Sequence, residues 1–270
     1  ATLPDGTCGV DIACKDGLIA AVEAGINAVT AEVIEAEGQL VSPPFVDPHF
    51  HMDATLSLGT PRMNVSGTLL EGIALWGELK PLQSVDQIVE RALRYCDLAV
   101  SMGIGAIRSH VDVDTETGLA GIEGVARTRS ELAGLVDIEI VAFPQSGLMT
   151  RPGTLELLDA ALRGPADVVG GLDPCGMDSD PKGHLDAVFA LAEKHGKPID
   201  IHLHEPGELG AFSMEMIIER TRALGMQGRV TVSHAFCLGM PDRGRARALV
   251  AQLAEVQIHI PQVATPFRPV

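Results

Sequence analysis

Two histidines one residue apart, His49 and His51, close the apolar run Phe45–Phe50. Side chains alternate along a strand, so both imidazoles project to the same side. Two imidazoles so spaced can chelate one divalent metal, as in catalytic zinc sites. A second run ends Asp200-Ile201-His202-Leu203-His204-Glu205, which offers a third ligand in His202 and a proton-moving carboxylate in Glu205. A third run ends Thr231-Val232-Ser233-His234. A metal held by neutral imidazoles lowers the pKa of bound water from about 15.7 toward 7. Glu205 can then pass a proton to a leaving nitrogen, while His234 orients the water or polarises the substrate. The chemistry expected is attack of metal-bound hydroxide on an electrophilic carbon, with departure of ammonia or an amine. For each residue the plainer alternative, a satisfied core histidine or a solvent-facing loop residue, stands beside this one. His204 shares a face with His202, and its role is left open.

The elements that position these residues alternate regularly after Pro43-Pro44. Candidate strands are Phe45–Phe50, Ala106–His110, Ile138–Phe143, Val168–Leu172, Ile199–Leu203, Val230–Ser233 and Val256–Ile260. Helical patterns lie between them at Ser84–Ser101, Gly118–Leu132, Thr154–Leu162, His184–His195, Ser213–Leu224 and Arg243–Ala254. Such alternation predicts an α/β fold with a parallel sheet, and so many repeats predict a (β/α)8 barrel. Barrels carry their reactive side chains at the C-terminal ends of strands, where the histidines fall. An eighth strand is missing, and Pro261–Val270 has no helical pattern, so the chain is expected to be truncated or incompletely represented. Residues 1–42 read as a separate small β element, with a hairpin turning at Asp16-Gly17. The expected organisation is thus a β element at 1–42 and a C-terminally incomplete hydrolase barrel at 43–270.

Composition narrows the function. The chain has 270 residues, 46% hydrophobic and 21% charged, enough for one large core built mainly from aliphatic residues because aromatics make up only 3%. A net charge of −16 argues against a nucleic-acid surface, since phosphate binding needs clustered Lys and Arg. No run approaches the roughly 20 apolar residues of a membrane helix, and no signal pattern opens the chain. The five cysteines are scattered and without CxxC spacing, which suits a reducing cytoplasm.

The stretch Pro43-Pro44-Phe45-Val46-Asp47-Pro48-His49-Phe50-His51-Met52-Asp53, followed by Gly67-Thr68-Leu69-Leu70-Glu71-Gly72-Ile73, resembles the bacterial cytosine deaminases of the amidohydrolase superfamily. Arg108–Asp112, Ile140–Gln145 and Thr231–His234 are similar as well, in the family's order. The resemblance implies one divalent metal, zinc or iron, held by His49, His51 and His202. It implies that Glu205 shuttles protons, that His234 contacts the hydrolytic water or the substrate, and that Gln145 hydrogen-bonds the ring. An amide offers a donor and an acceptor together, which suits a cyclic urea edge. The sequence departs from the family in three places. The eighth-strand aspartate that binds metal and activates water is missing, and no acidic residue follows Pro261. His204 stands where cytosine deaminases have aspartate. The loop Asp173–Asp178 is more similar to the branch of the N-isopropylammelide amidohydrolases.

The reading is a mononuclear metal-dependent aminohydrolase acting on a small cytosine-like or triazine-like heterocycle in the cytoplasm. A homo-oligomer is the default expectation, with neither nucleic acid nor membrane as partner. Two rivals are hydrolysis of another cyclic amide or imide bond, and a truncated barrel that binds a heterocycle without turning it over. Among the remaining polar residues, His110 and Asp112 read as a polar layer of the barrel and Asp53 as support for a ligand. Trp76 reads as packing or as the pocket mouth, and His184, His195 and His259 as structural.

Overall fold

A computed structural model of the chain describes residues 1–30, 32–240 and 242–261. It contains two compact units, Ala1–Phe45 and a second beginning at Val46.

In the first unit, β1 (Asp11–Lys15) pairs antiparallel with β2 (Leu18–Glu23). The turn residues Asp16 and Gly17 both have positive φ, 53° and 77°. Two such residues match the right-handed twist of a hairpin, which explains why Asp-Gly sits there.

The second unit is a curled parallel sheet of six strands in sequential order. The strands are β3 (Phe45–Phe50), β4 (Ile104–Asp112), β5 (Asp137–Phe143), β6 (Val168–Leu172), β7 (Ile199–His202) and β8 (Val230–Ser233). Helices α1 (Leu69–Leu79) and α2 (Val85–Ser101) lie between β3 and β4, and α3 (Ala120–Glu131) follows β4. Then α4 (Thr154–Arg163), α5 (Pro181–His195), α6 (Gly207–Ala223) and α7 (Arg243–Glu255) each follow one strand. Local chemistry sets several of these ends. Ser84 and Gln87 form a reciprocal capping box on α2, and Asp180 caps α5 with Pro181 in its first turn. Every residue of β6, β7 and β8 is buried, as expected for strands covered on both faces. The core is aliphatic, with Phe143 and Phe189 its largest fully buried side chains.

Two elements differ most from the sequence reading. The strand expected at Val256–Ile260 contracts to a single parallel bridge, Thr231 with His259. Gln257 takes a left-handed φ of 54° at its start, and Pro261 at its end has no N–H to donate. Helix α6 begins at Gly207, six residues before the expected Ser213, because Pro206 supplies an extended lead-in and the first turn needs no apolar face. Gly210 in that turn is required: a Cβ there would collide with the backbone carbonyl of Glu205. Among the described residues no eighth barrel strand pairs with β3, and no helix is long and apolar enough to cross a membrane.

Candidate metal centre

Four imidazoles converge at the C-terminal ends of three strands: His49 and His51 from β3, His110 from β4, and His202 from β7. One ring nitrogen from each lies within 4.8 Å of the others. At an inter-strand spacing of about 4.8 Å, a flat sheet would hold β3 and β7 about 19 Å apart. The ring centroids of His49 and His202 are 4.5 Å apart, so the curl of the sheet assembles the cluster. The three residues expected to ligate metal are therefore together. The fourth, His110, was read from sequence as part of a polar layer, and its ring centroid lies 4.2 Å from that of His49.

Burial controls the charge of this group. Desolvation first, then the neighbouring rings, pushes His49 down to about 2 and His51 down to about 3. The same causes hold His202 well below the ordinary histidine value. His49, His51 and His202 are thus neutral near pH 7, with lone pairs available as metal ligands require. Nε2 of His51 faces Nε2 of His202 at 3.3 Å. Nδ1 of His202 and both ring nitrogens of His110 are buried without a hydrogen-bond partner. An orphaned buried polar group costs about 1–3 kcal/mol, and a cation at the cluster would relieve that cost for nitrogens facing it. The donor set fits a zinc or iron ion.

Beneath the cluster, Nδ1 of His49 lies 3.0 Å from the Ser233 hydroxyl, which donates to Asp200 at 2.7 Å. The other oxygen of Asp200 accepts from Arg108 at 2.9 Å and sits 3.3 Å from Nε2 of His110.

Glu205 lies in the turn after β7 and is buried. Its Oε1 accepts the backbone N–H groups of Cys175 at 2.7 Å and Gly176 at 2.8 Å, and its Oε2 accepts the Ser213 hydroxyl. His204 is held by Asp173, whose two oxygens accept its backbone N–H at 2.6 Å and pair with Nδ1 at 2.8 Å. The His204 ring stacks on His234 at 4.4 Å, and His234 lies 4.6 Å from His49. Left-handed φ values of 70° at His234 and 46° at Ala235 turn the chain sharply after β8. Such backbone costs roughly 1–3 kcal/mol per residue and tends to collect at functional sites. Burial, with His204 and His110 next, pushes His234 down to about 4.

Gln145 is half-buried in the loop after β5, and its side-chain amide makes no hydrogen bond among the described residues. Its backbone N–H donates to the carbonyl of Phe143 at 3.1 Å. The nearby Asp112 carboxylate accepts the Trp76 indole N–H at 2.7 Å and Lys80 at 3.2 Å. Lys80 is itself buried between Asp112 and Asp114. Lys80 also donates to the Ser146 hydroxyl at 2.9 Å, which ties Asp112 and Trp76 to the loop that carries Gln145. Asp53, expected to support a ligand, instead accepts the backbone N–H of Asp112 at 2.9 Å. His184 bonds Asp178 at 2.7 Å, His195 bonds Asp159 at 2.7 Å, and His259 is exposed.

Residues 32–264 match the amidohydrolase family. The chain belongs to that family. This amidohydrolase is 34% identical over 231 residues to N-isopropylammelide isopropyl amidohydrolase of Pseudomonas sp. (strain ADP), covering 84% of this chain and 57% of that one. It superposes on the crystal structure of N-isopropylammelide isopropylaminohydrolase from Burkholderia multivorans with TM-score 0.87 and 37% identity, over 100% of this chain and 68% of that one. The crystal structure of 5-methylcytosine deaminase from Klebsiella pneumoniae liganded with 5-fluorocytosine gives TM-score 0.87 and 33% identity, over 96% and 63%. The amidohydrolase chain spans about half the length of the curated relatives it matches.

Proposed function

We propose that the protein is a metal-dependent aminohydrolase that releases ammonia or an amine from a cytosine-like or triazine-like ring. The observation that carries this is the cluster of imidazoles, with a buried, anchored carboxylate, Glu205, three residues after His202 on the chain. His49, His51 and His202 would hold one divalent ion, zinc or iron. When bound, that ion supplies the acidity that makes water a nucleophile near neutral pH.

The protein's own groups do the remaining work. The N–H groups of Cys175 and Gly176 and the hydroxyl of Ser213 fix Glu205 in one orientation. So held, its carboxylate takes a proton from the attacking water and delivers it to the departing nitrogen. His234 stays neutral and faces the water or the substrate. Gln145 has its amide donor and acceptor uncommitted, and binds the edge of the ring. The resemblance to N-isopropylammelide hydrolases, together with His204 in place of an aspartate, favours a triazine bearing an alkylamino group. Five free cysteines suit the reducing cytoplasm.

The test is turnover. Incubation of the zinc-loaded protein with N-isopropylammelide, cytosine and 5-methylcytosine, with ammonia and isopropylamine quantified, should show metal-dependent amine release. No release from any of them, with metal bound, would reject this function.

A further inference from the structure

The cluster rests on a hydrogen-bond chain whose proton directions are fixed by its chemistry. Asp200 is fully buried at the middle of β7. Its Oδ2 accepts from the Arg108 guanidinium at 2.9 Å, and its Oδ1 accepts from the Ser233 hydroxyl at 2.7 Å. A carboxylate beside an arginine is ionised and can only accept, so the single hydroxyl proton of Ser233 points to Asp200. The Ser233 oxygen is then left as an acceptor toward Nδ1 of His49, 3.0 Å away. A neutral imidazole carries one N–H, and the hydroxyl oxygen requires it at Nδ1. Nε2 of His49 is left with its lone pair.

From this arrangement we infer that Asp200, acting through Ser233, is a positioning residue that sets the tautomer of His49 and so presents Nε2 as a metal donor. The inference rests on the metal reading above for its purpose, and on hydrogen bonding alone for its mechanism. Groups that orient metal-binding histidines in this way typically govern metal affinity by 10–100-fold. Asp200 lies beside a second member of the cluster, with Nε2 of His110 3.3 Å from Oδ2.

The chain has a built-in reversal. In Asp200→Asn, Arg108 has only donors, so the amide oxygen must face Arg108 and the amide NH2 must face Ser233. Ser233 then accepts from the amide and donates its proton to Nδ1 of His49. The N–H of His49 moves to Nε2, the nitrogen that would bind metal.

The experiment is two-bond 15N–1H NMR on the metal-free chain labelled at histidine, with His49→Ala assigning the His49 signal. The expected result is the Nδ1–H tautomer in the native chain and in Ser233→Thr, and the Nε2–H tautomer in Asp200→Asn. Zinc affinity, measured by chelator competition, should fall about 10–100-fold in Asp200→Asn and in Ser233→Ala and be retained in Ser233→Thr. An Nε2–H tautomer in the native chain, or an unchanged tautomer in Asp200→Asn, would overturn the inference. If Asp200→Asn does not fold, native zinc affinity in Ser233→Ala would overturn it as well. A native chain with the Nδ1–H tautomer but no zinc binding would support the orienting role and reject the metal reading, so the two fail separately.

Discussion

Nε2 of His51 and Nε2 of His202 face each other at 3.3 Å, from the ends of β3 and β7, two strands that three others separate in the curled sheet. Two lone pairs at that distance repel unless a cation lies between them or one neutral ring turns its N–H toward the other. Burial holds both rings neutral, the state in which each can give a lone pair to a metal. His202→Ala is therefore expected to reduce bound zinc from about one equivalent to near none. Metal analysis after dialysis against buffer checks this, and undiminished zinc would remove His202 from the ligand set.

Glu205→Gln keeps an acceptor for the N–H groups of Cys175 and Gly176 but cannot take up a proton. Turnover is expected to fall by about 10²–10⁴-fold while metal content stays native. Steady-state kinetics alongside metal analysis provide the check. Loss of metal in this variant would assign Glu205 a ligating role instead.

Lys80 is the buried cation between Asp112 and Asp114, and Asp112 also receives the indole N–H of Trp76. Lys80→Met leaves two carboxylates buried without their partner. A loss of about 3–5 kcal/mol in urea unfolding is expected. Emission of Trp76, the one tryptophan of the chain, should shift as its anchor loosens.

Asp178 ties the loop bearing Gln145 to α5. Its carboxylate accepts the backbone N–H of Leu148 at 3.0 Å and of Thr150 at 3.2 Å, and pairs with His184 at 2.7 Å. Burial acts to raise its pKa, but the bonds to His184 and to the backbone N–H of Met149 outweigh burial and hold it below the ordinary carboxylate range. A depressed carboxyl contributes stability above its unfolded value of 3.8 and loses that contribution as pH falls through its folded value. Asp178→Asn should thus be less stable than the native chain at pH 7, with the gap closing below pH 3.8. Thermal unfolding across pH would show this, and a gap independent of pH would contradict it.

Much of this arrangement was legible in the sequence, for physical reasons that also mark its limits. Strands β3, β6 and β8 have the expected bounds because proline, glycine or a polar residue stops each apolar run. Alternation along β3 was enough to pair His49 with His51. It could not separate His110 from Arg108 and Asp112, which share its parity on β4. Arg108 turns to Asp200 and Asp112 to Trp76, while His110 joins the ring cluster. Only the curl of the sheet distinguishes them. The role of Asp178 was hidden because a loop carboxylate that gathers backbone N–H groups has no periodic signature. The early start of α6 was missed because two glycines, Gly207 and Gly210, weaken a helical pattern, although close packing against Glu205 requires the second of them.

The most direct test of the account is metal content by inductively coupled plasma mass spectrometry, on the purified chain beside His49→Ala. The account predicts close to one equivalent of zinc or iron in the native chain and its loss in the variant. Metal absent from both, or retained undiminished by His49→Ala, would contradict a catalytic metal centre built on these histidines.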